Sequence, residues 1–148
     1  MAIDWKKEPP LYSVVAVNFI LCCYGVITSV LYLTTTFEKI LLSSAYVLLF
    51  FAASSNQGNL YRNTTTFVID HFAALAIFLL NVYYWGKSFT PPVVVYGVLL
   101  FIYYFVTSWG LYDRLSSTQY AVHVNIWHLG VVLLIYLVPA QLKQDNLF

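Results

Sequence analysis

Residues 64–85 read TTTFVIDHFAALAIFLLNVYYW, a run of 22 residues that holds Asp70, His71 and Asn81 among apolar and hydroxyl side chains. As a helix this run rises about 33 Å at about 1.5 Å per residue, which matches the hydrocarbon core of a bilayer. Asp70 then lies about 9 Å inside the start of the helix, at a depth where an ionisable group normally faces protein or a water-filled cavity. The run therefore predicts a membrane-spanning helix with one face turned towards other helices.

That face is predicted from the spacing of the polar residues. Asp70 and Asn81 are eleven positions apart in the sequence, so they return to one side of a helix after three turns. Ala73 and Ala74 lie near the same side. Because small and polar residues let membrane helices approach and hydrogen-bond, this side is expected to pack against other helices.

The composition of the chain indicates that lipid is its main solvent. The 148 residues are 61% apolar, 19% aromatic and 9% charged, whereas about 25% of the residues in a soluble domain are charged. A net charge of +1 argues against nucleic acid as a partner, because phosphate binding needs a basic face. Cys22 and Cys23 are adjacent inside an apolar run, a pattern that favours packing over a disulfide framework.

The remaining apolar runs complete an all-α membrane protein with a bundle of about five transmembrane helices and short loops. We treat residues 1–148 as a single integral membrane domain, with predicted spans 11–33, 39–55, 64–85, 90–112 and 119–140. Segment 39–55 is short enough to be either a full span or a re-entrant piece, and we favour the span. Tyrosine and tryptophan residues crowd the predicted helix ends, as expected for the interfacial belts of a multi-pass membrane protein.

Several polar residues inside the predicted spans are expected to pair with one another or with a companion protein. On the first span, Asn18 shares a small, weakly polar stripe with Cys22, Gly25 and Ser29. The residues for which we predict helix packing or polar pairing are Asn18, Asp70, Asn81, Asn125 and His128.

Asp70 has two readings. A carboxylate in an apolar setting can act as a proton relay, a metal ligand or a general base. It can also be a structural hydrogen-bonding group that joins neighbouring helices, and this second reading is favoured.

The histidines of the fifth span are not spaced for a shared metal ion. His123 and His128 are five residues apart, which places them about 140° apart on a helix, whereas helical metal ligands usually recur at three or four residues. We expect His128 to meet Asp70 across the bundle. No metal and no cofactor is predicted, and bound lipids are expected.

Three short motifs resemble a known superfamily in their order along the chain: Ser44-Ala45-Tyr46, Ile69-Asp70-His71 and Ile126-Trp127-His128. They are similar to motifs of the hemolysin III and progestin-adipoQ receptor superfamily, whose members are seven-helix membrane proteins with a metal site and include hydrolases in several branches. The resemblance implies an intramembrane metal-dependent hydrolase that uses Asp70, His71 and His128. Val47 and Val124 stand where that superfamily has histidines, and two helices fewer are predicted here.

The absence of a complete catalytic set from the sequence favours a structural role. We expect a non-catalytic accessory subunit of a larger membrane complex, with other integral membrane subunits and lipids as partners. Because energy-transducing assemblies collect small subunits of this kind, the expected location is an internal membrane, with the mitochondrial inner membrane preferred. The alternatives are the hydrolase implied by the resemblance and a small transporter or proton path that uses Asp70.

Overall fold

The computed structural model describes residues 3–86, 89–107 and 114–144, the last nine of these by their backbone alone. The regular elements of this part of the chain are five α-helices: α1 (Tyr12–Tyr32), α2 (Thr36–Asn56), α3 (Thr64–Trp85), α4 (Pro91–Phe105) and α5 (Ser117–Gln144). By length and composition, α1, α2, α3 and the Ser117–Ile135 part of α5 can each cross a membrane. The predicted all-α membrane bundle is thereby confirmed.

Capping side chains explain why several helices begin where they do. Ahead of α2, the Thr35 hydroxyl accepts a hydrogen bond from the Glu38 N–H at 3.2 Å, and the Glu38 carboxylate accepts one from the Thr35 N–H at 3.1 Å. This reciprocal arrangement satisfies amide groups that lack a partner in the first turn of a helix. It starts α2 at residue 36, three residues before the predicted position, and α2 is a continuous helix of 21 residues. Similar pairs precede two further helices: Asn63 with Thr66 and Ser116 with Gln119.

The fourth helix begins at a proline pair, as the sequence predicts. Pro91 and Pro92 occupy its first turn, where a missing N–H costs no helical hydrogen bond. Within the described residues, α4 covers 15 residues up to Phe105. Residues 108–112 of the predicted fourth span lie outside the described part of the chain.

The main packing partners of the helices define a simple lateral order. α1 packs against α2 and α5, α2 packs against α3, and α4 packs against α5. The order across the bundle is therefore α4–α5–α1–α2–α3. Helices that are consecutive in the chain run antiparallel where they pack, whereas α1 and α5 run parallel.

The two ends of the bundle are named here by a residue at each. The Arg62 end is where α1, α3 and α5 begin and α2 ends, and the opposite end is the Trp85 end. At the Trp85 end, the Trp85 ring meets the Tyr32 ring edge-on, with 6.4 Å between ring centroids. Trp85 also belongs to one buried apolar cluster with Val93 and Ile135. This cluster also includes residues of α1 and α2, so it runs through all five helices.

The interior contains a close approach of two helices. Tyr46 is the largest side chain that is almost fully buried, and its ring lies directly against Gly25 of α1. The outward faces carry many exposed aliphatic and aromatic side chains. In a membrane, lipid or other membrane helices cover such faces.

Candidate functional site

Asp70 is the buried carboxylate around which the candidate site is built. Only 2% of its surface is exposed. Its Oδ2 accepts a hydrogen bond of 2.7 Å from Nδ2 of Asn56, the last residue of α2. The carbonyl oxygen of Asn56 in turn accepts a hydrogen bond from Nη1 of Arg62 at 3.2 Å. Asp70 thus joins α3 to the end of α2 and, through Asn56, to the α2–α3 loop.

Arg62 belongs to a cluster of side chains that covers this end of the bundle. Its guanidinium lies 4.1 Å from the centroid of the Trp5 ring and 5.9 Å from that of Tyr120. The rings of Trp5 and Tyr120 pack edge to face, with 4.9 Å between their centroids. Nδ2 of Asn59 donates hydrogen bonds to the carbonyl oxygens of Trp5 and Glu8 at 3.2 and 2.9 Å. The N-terminal segment, the α2–α3 loop and the start of α5 are held together in this way.

The sequence analysis did not identify this Arg62 cluster. The signal for it was a single arginine in the longest polar loop, together with a tryptophan in the N-terminal segment and a tyrosine at the start of the last span. A cation over an aromatic face is a stabilising arrangement, but three segments so far apart in sequence can be combined only once the fold is known.

Asn81, the second polar residue on α3, also faces α2. Its Nδ2 donates to the hydroxyl oxygen of Tyr46 at 3.0 Å and to the carbonyl oxygen of Ile77 at 2.8 Å. The Tyr46 hydroxyl lies 3.4 Å from Oδ1 of the same amide. Ala73, between Asp70 and Asn81, is buried, whereas Ala74 is exposed. One face of α3 therefore carries two polar contacts to the same neighbouring helix.

The structure does not assemble Asp70, His71 and His128 into one site. Asp70 is bonded to Asn56, and His71 is exposed on another side of α3, where its Nδ1 donates to the carbonyl oxygen of Phe67 at 2.8 Å. His128 is 4% exposed, and its Nδ1 has no hydrogen-bond partner among the described residues. The expected pairing of His128 with Asp70 is not formed, because the neighbours of α5 are α1 and α4 and the neighbour of α3 is α2.

His123 and His128 lie on different sides of α5. Nδ1 of His123 is 2.6 Å from the Tyr103 hydroxyl of α4. On the same side, the Tyr96 hydroxyl donates to the carbonyl oxygen of Gly130 at 3.0 Å. His128 continues the stripe of α5 that packs towards α1. The two imidazoles consequently serve different helix interfaces.

The two remaining predicted residues, Asn18 and Asn125, belong to the region where α1 and α5 meet. Nδ2 of Asn125 donates to the hydroxyl oxygen of Ser13 at 3.2 Å. Asn18 is 2% exposed, and neither its Nδ2 nor its Oδ1 has a hydrogen-bond partner in the described part of the chain. Of these two asparagines, therefore, only Asn125 pairs with another helix inside the chain.

The described polar side chains are better arranged to pair with one another than to bind a metal ion. Within residues 3–86, 89–107 and 114–144, no three histidine, cysteine or acidic side chains are grouped closely enough to hold a metal ion. Val47, at a position where the resembled superfamily has a histidine, is 41% exposed and so lies outside the interior. No protein-family model matches the chain, and neither the curated proteins nor the solved structures yield a match.

Proposed function

We propose that this protein is a non-catalytic accessory subunit of a larger membrane protein complex. The observation that carries the proposal is the hydrogen bond of Asp70. Its carboxylate oxygen accepts a hydrogen bond of 2.7 Å from Asn56 of the neighbouring helix. An acid that serves as a base, ligand or relay has to present an oxygen to the reacting group. Here Oδ2 of Asp70 accepts its hydrogen bond from a residue of the same chain.

The other side-chain hydrogen bonds between helices support the same role. Asn81 contacts Tyr46 between α3 and α2, His123 contacts Tyr103 between α5 and α4, and a third contact joins α5 to α1 through an asparagine and a serine. Each contact joins a helix to its immediate neighbour. Polar side chains used in this way hold membrane helices together.

The outward face of α3 supports contact with other membrane components. α3 packs mainly against α2, and the rest of its circumference presents large side chains such as Phe72, Phe78 and Tyr83, of which Tyr83 is 80% exposed. Aromatic residues are enriched where proteins contact each other. We propose that part of this face contacts another integral subunit and that lipids cover the remainder.

The location that we propose is an energy-transducing membrane, with the mitochondrial inner membrane first. This part of the proposal rests on the small size and the low share of charged residues of the chain. The structure contributes only the integral membrane character, through its four long apolar helices.

Extraction in a mild detergent followed by native mass measurement tests the proposal. We expect the chain to be recovered with other membrane proteins in a fixed stoichiometry. A photo-crosslinking residue placed at Phe78, which is 63% exposed, should label one of these partners, whereas the same residue at the exposed Phe37, near the Trp85 end of α2, serves as a control for random contacts. A monomer that forms no specific crosslink from α3 would contradict the proposal.

The enzyme and transporter alternatives predict other results. Stoichiometric zinc in the purified protein, lost when His128 is replaced, would support the hydrolase implied by the sequence resemblance. A pH-dependent flux through liposomes, abolished by Asp70→Asn, would support a proton path.

A further inference from the structure

Buried polar atoms without a hydrogen-bond partner are concentrated towards the Arg62 end of the bundle. Among the described residues, nine such side-chain atoms occur. Seven of them belong to six residues of this half, with two on Asn18 and one each on Ser54, Asn56, Gln57, Asn125 and His128. Buried polar groups in folded proteins nearly always find a partner, either in the protein or in ordered water. This requirement is stricter in a membrane, where lipid offers no hydrogen bonds.

Asn18 and His128 lie at a similar depth in the bundle. α1 and α5 run parallel, and the hydrogen bond between Ser13 and Asn125 fixes their register. Asn18 is five residues beyond Ser13, and His128 is three residues beyond Asn125. At about 1.5 Å per residue, they lie about 7.5 Å and about 4.5 Å from the level of the Ser13–Asn125 hydrogen bond. The two side chains are thus separated by only about 3 Å along the bundle axis.

Both side chains also point towards the region where α1 meets its neighbours. Asn18 lies on the stripe of α1 that includes Val14, which belongs to a buried cluster with Ala121 and Val124 of α5. His128 follows Ala121 and Val124 on the same stripe of α5.

The chemistry of the two groups suits a bridging water molecule. The Asn18 amide offers two donor hydrogens and one acceptor oxygen, and Nδ1 of His128 can act as either donor or acceptor, depending on the tautomer. No direct hydrogen bond between them is formed in the described structure. A buried water typically makes about three hydrogen bonds to otherwise unsatisfied groups, and Asn18 and His128 together offer at least that number.

We propose that Asn18 and His128 form an internal hydration site that binds one or more water molecules between α1 and α5. Asn125, one turn nearer the Arg62 end, has an unpartnered Oδ1 and extends the site in that direction. The bound water connects α1 to α5 at a depth where the described residues of the two helices make no direct polar contact. This site is independent of the subunit role proposed above.

Solid-state NMR on protein labelled with ¹⁵N-histidine, in lipid bilayers, tests the proposal directly. The chain has three histidines, and the variants His71→Gln and His123→Gln each remove one signal and so assign the third to His128. We expect polarisation to pass from water to the ring nitrogens of His128 although the residue is buried. If the folded protein shows transfer to its exposed loops but none to His128, the hydration site does not exist.

A pair of variants locates the water. Asn18→Leu replaces the amide by an apolar side chain of similar size, and we expect it to abolish the transfer of water polarisation to His128. The matched control is Ser29→Ala, which removes a buried hydroxyl of α1 that donates within its own helix to the Gly25 carbonyl at 2.6 Å, and it should leave the transfer intact. Unchanged transfer in a folded Asn18→Leu protein would refute the role of Asn18. If that variant does not fold, the wild-type measurement still decides whether His128 is hydrated.

Discussion

The contact between Gly25 and Tyr46 predicts a sharp sensitivity to one added methyl group. A Cβ atom at Gly25 would meet ring atoms of Tyr46 at less than 3.0 Å, a distance that real Cβ atoms essentially never show. These are atoms of the rigid ring itself, so no rotation of a flexible end can relieve the clash. For Gly25→Ala we therefore expect the ring to move by about 1 Å or the two helices to separate.

The magnitude follows from three contributions. Overpacking of a well-packed interior costs about 1–3 kcal/mol. Displacement of the ring also weakens the contact of the Tyr46 hydroxyl with Asn81, now at 3.0 Å, which is worth about 1 kcal/mol. Alanine has a higher helix propensity than glycine, which offsets about 1 kcal/mol of this loss. We expect Gly25→Ala to lower the free energy of unfolding by about 1–3 kcal/mol.

Unfolding in mixed micelles, titrated with SDS and followed by circular dichroism, measures this change. Gly97→Ala is the matched control, because its new Cβ would lie 3.9 Å from the nearest atom of Leu134, an ordinary contact. It should leave stability unchanged or raise it by up to about 1 kcal/mol. Replacing the ring by a smaller side chain, as in Tyr46→Leu, should remove most of the loss of stability that Gly25→Ala causes. Equal effects of the two alanine substitutions would refute the close approach of α1 and α2.

Three further substitutions test individual polar contacts. Asn56→Leu removes the donor to Asp70 and should lower the free energy of unfolding in the same titration by about 2 kcal/mol; no loss would show that the carboxyl group has another partner. Tyr103→Phe removes the hydroxyl next to His123 and should cost about 1 kcal/mol, with a neutral result contradicting the contact. Arg62→Met removes the cation over the aromatic rings, and amide hydrogen exchange in the N-terminal segment should quicken by up to about tenfold, the equivalent of about 1.4 kcal/mol; unchanged exchange would mean that the arginine does not hold this segment.

The helices of this protein are largely predictable from sequence because a lipid environment requires the backbone to form helical hydrogen bonds. A chain that is 61% apolar and 9% charged has to satisfy its backbone groups inside helices when lipid surrounds it. The starts of α2 and α5 were predicted too late by three and two residues, since the capping residues Thr35 and Ser116 are polar and were assigned to loops. Capping chemistry is local, so this part of the error was avoidable.

The partner of Asp70 was harder to predict because residue types suggested the wrong group. A buried carboxylate is expected to pair with a histidine, and His128 is the buried histidine among the described residues. The partner is instead Asn56, which lies just outside the predicted span 39–55. The structure extends α2 through this residue, which places its side-chain amide within hydrogen-bonding distance of Asp70.

The pairing of α2 with α3 nevertheless contains a rule that residue types alone do not reveal. Residues that pair across two antiparallel helices share a common midpoint in the sequence, because each step forward on one helix is matched by a step back on the other. Asn56 and Asp70 each lie seven residues from position 63, and Tyr46 and Asn81 lie seventeen and eighteen residues from it.

The same symmetry governs α4 and α5, where the pairs Tyr103–His123 and Tyr96–Gly130 share the midpoint 113. The midpoints 63 and 113 are not the centres of the predicted loops 56–63 and 113–118, so the predicted loops do not give the pairs of Asp70, Asn81 and His123; one known contact between two helices fixes the others. The contact between Ser13 and Asn125 has no such midpoint, because α1 and α5 run parallel and no turn joins them. Contacts between helices that are not consecutive in the chain are the hardest to predict from sequence, and the unpartnered Asn18 and His128 lie where two such helices, α1 and α5, meet.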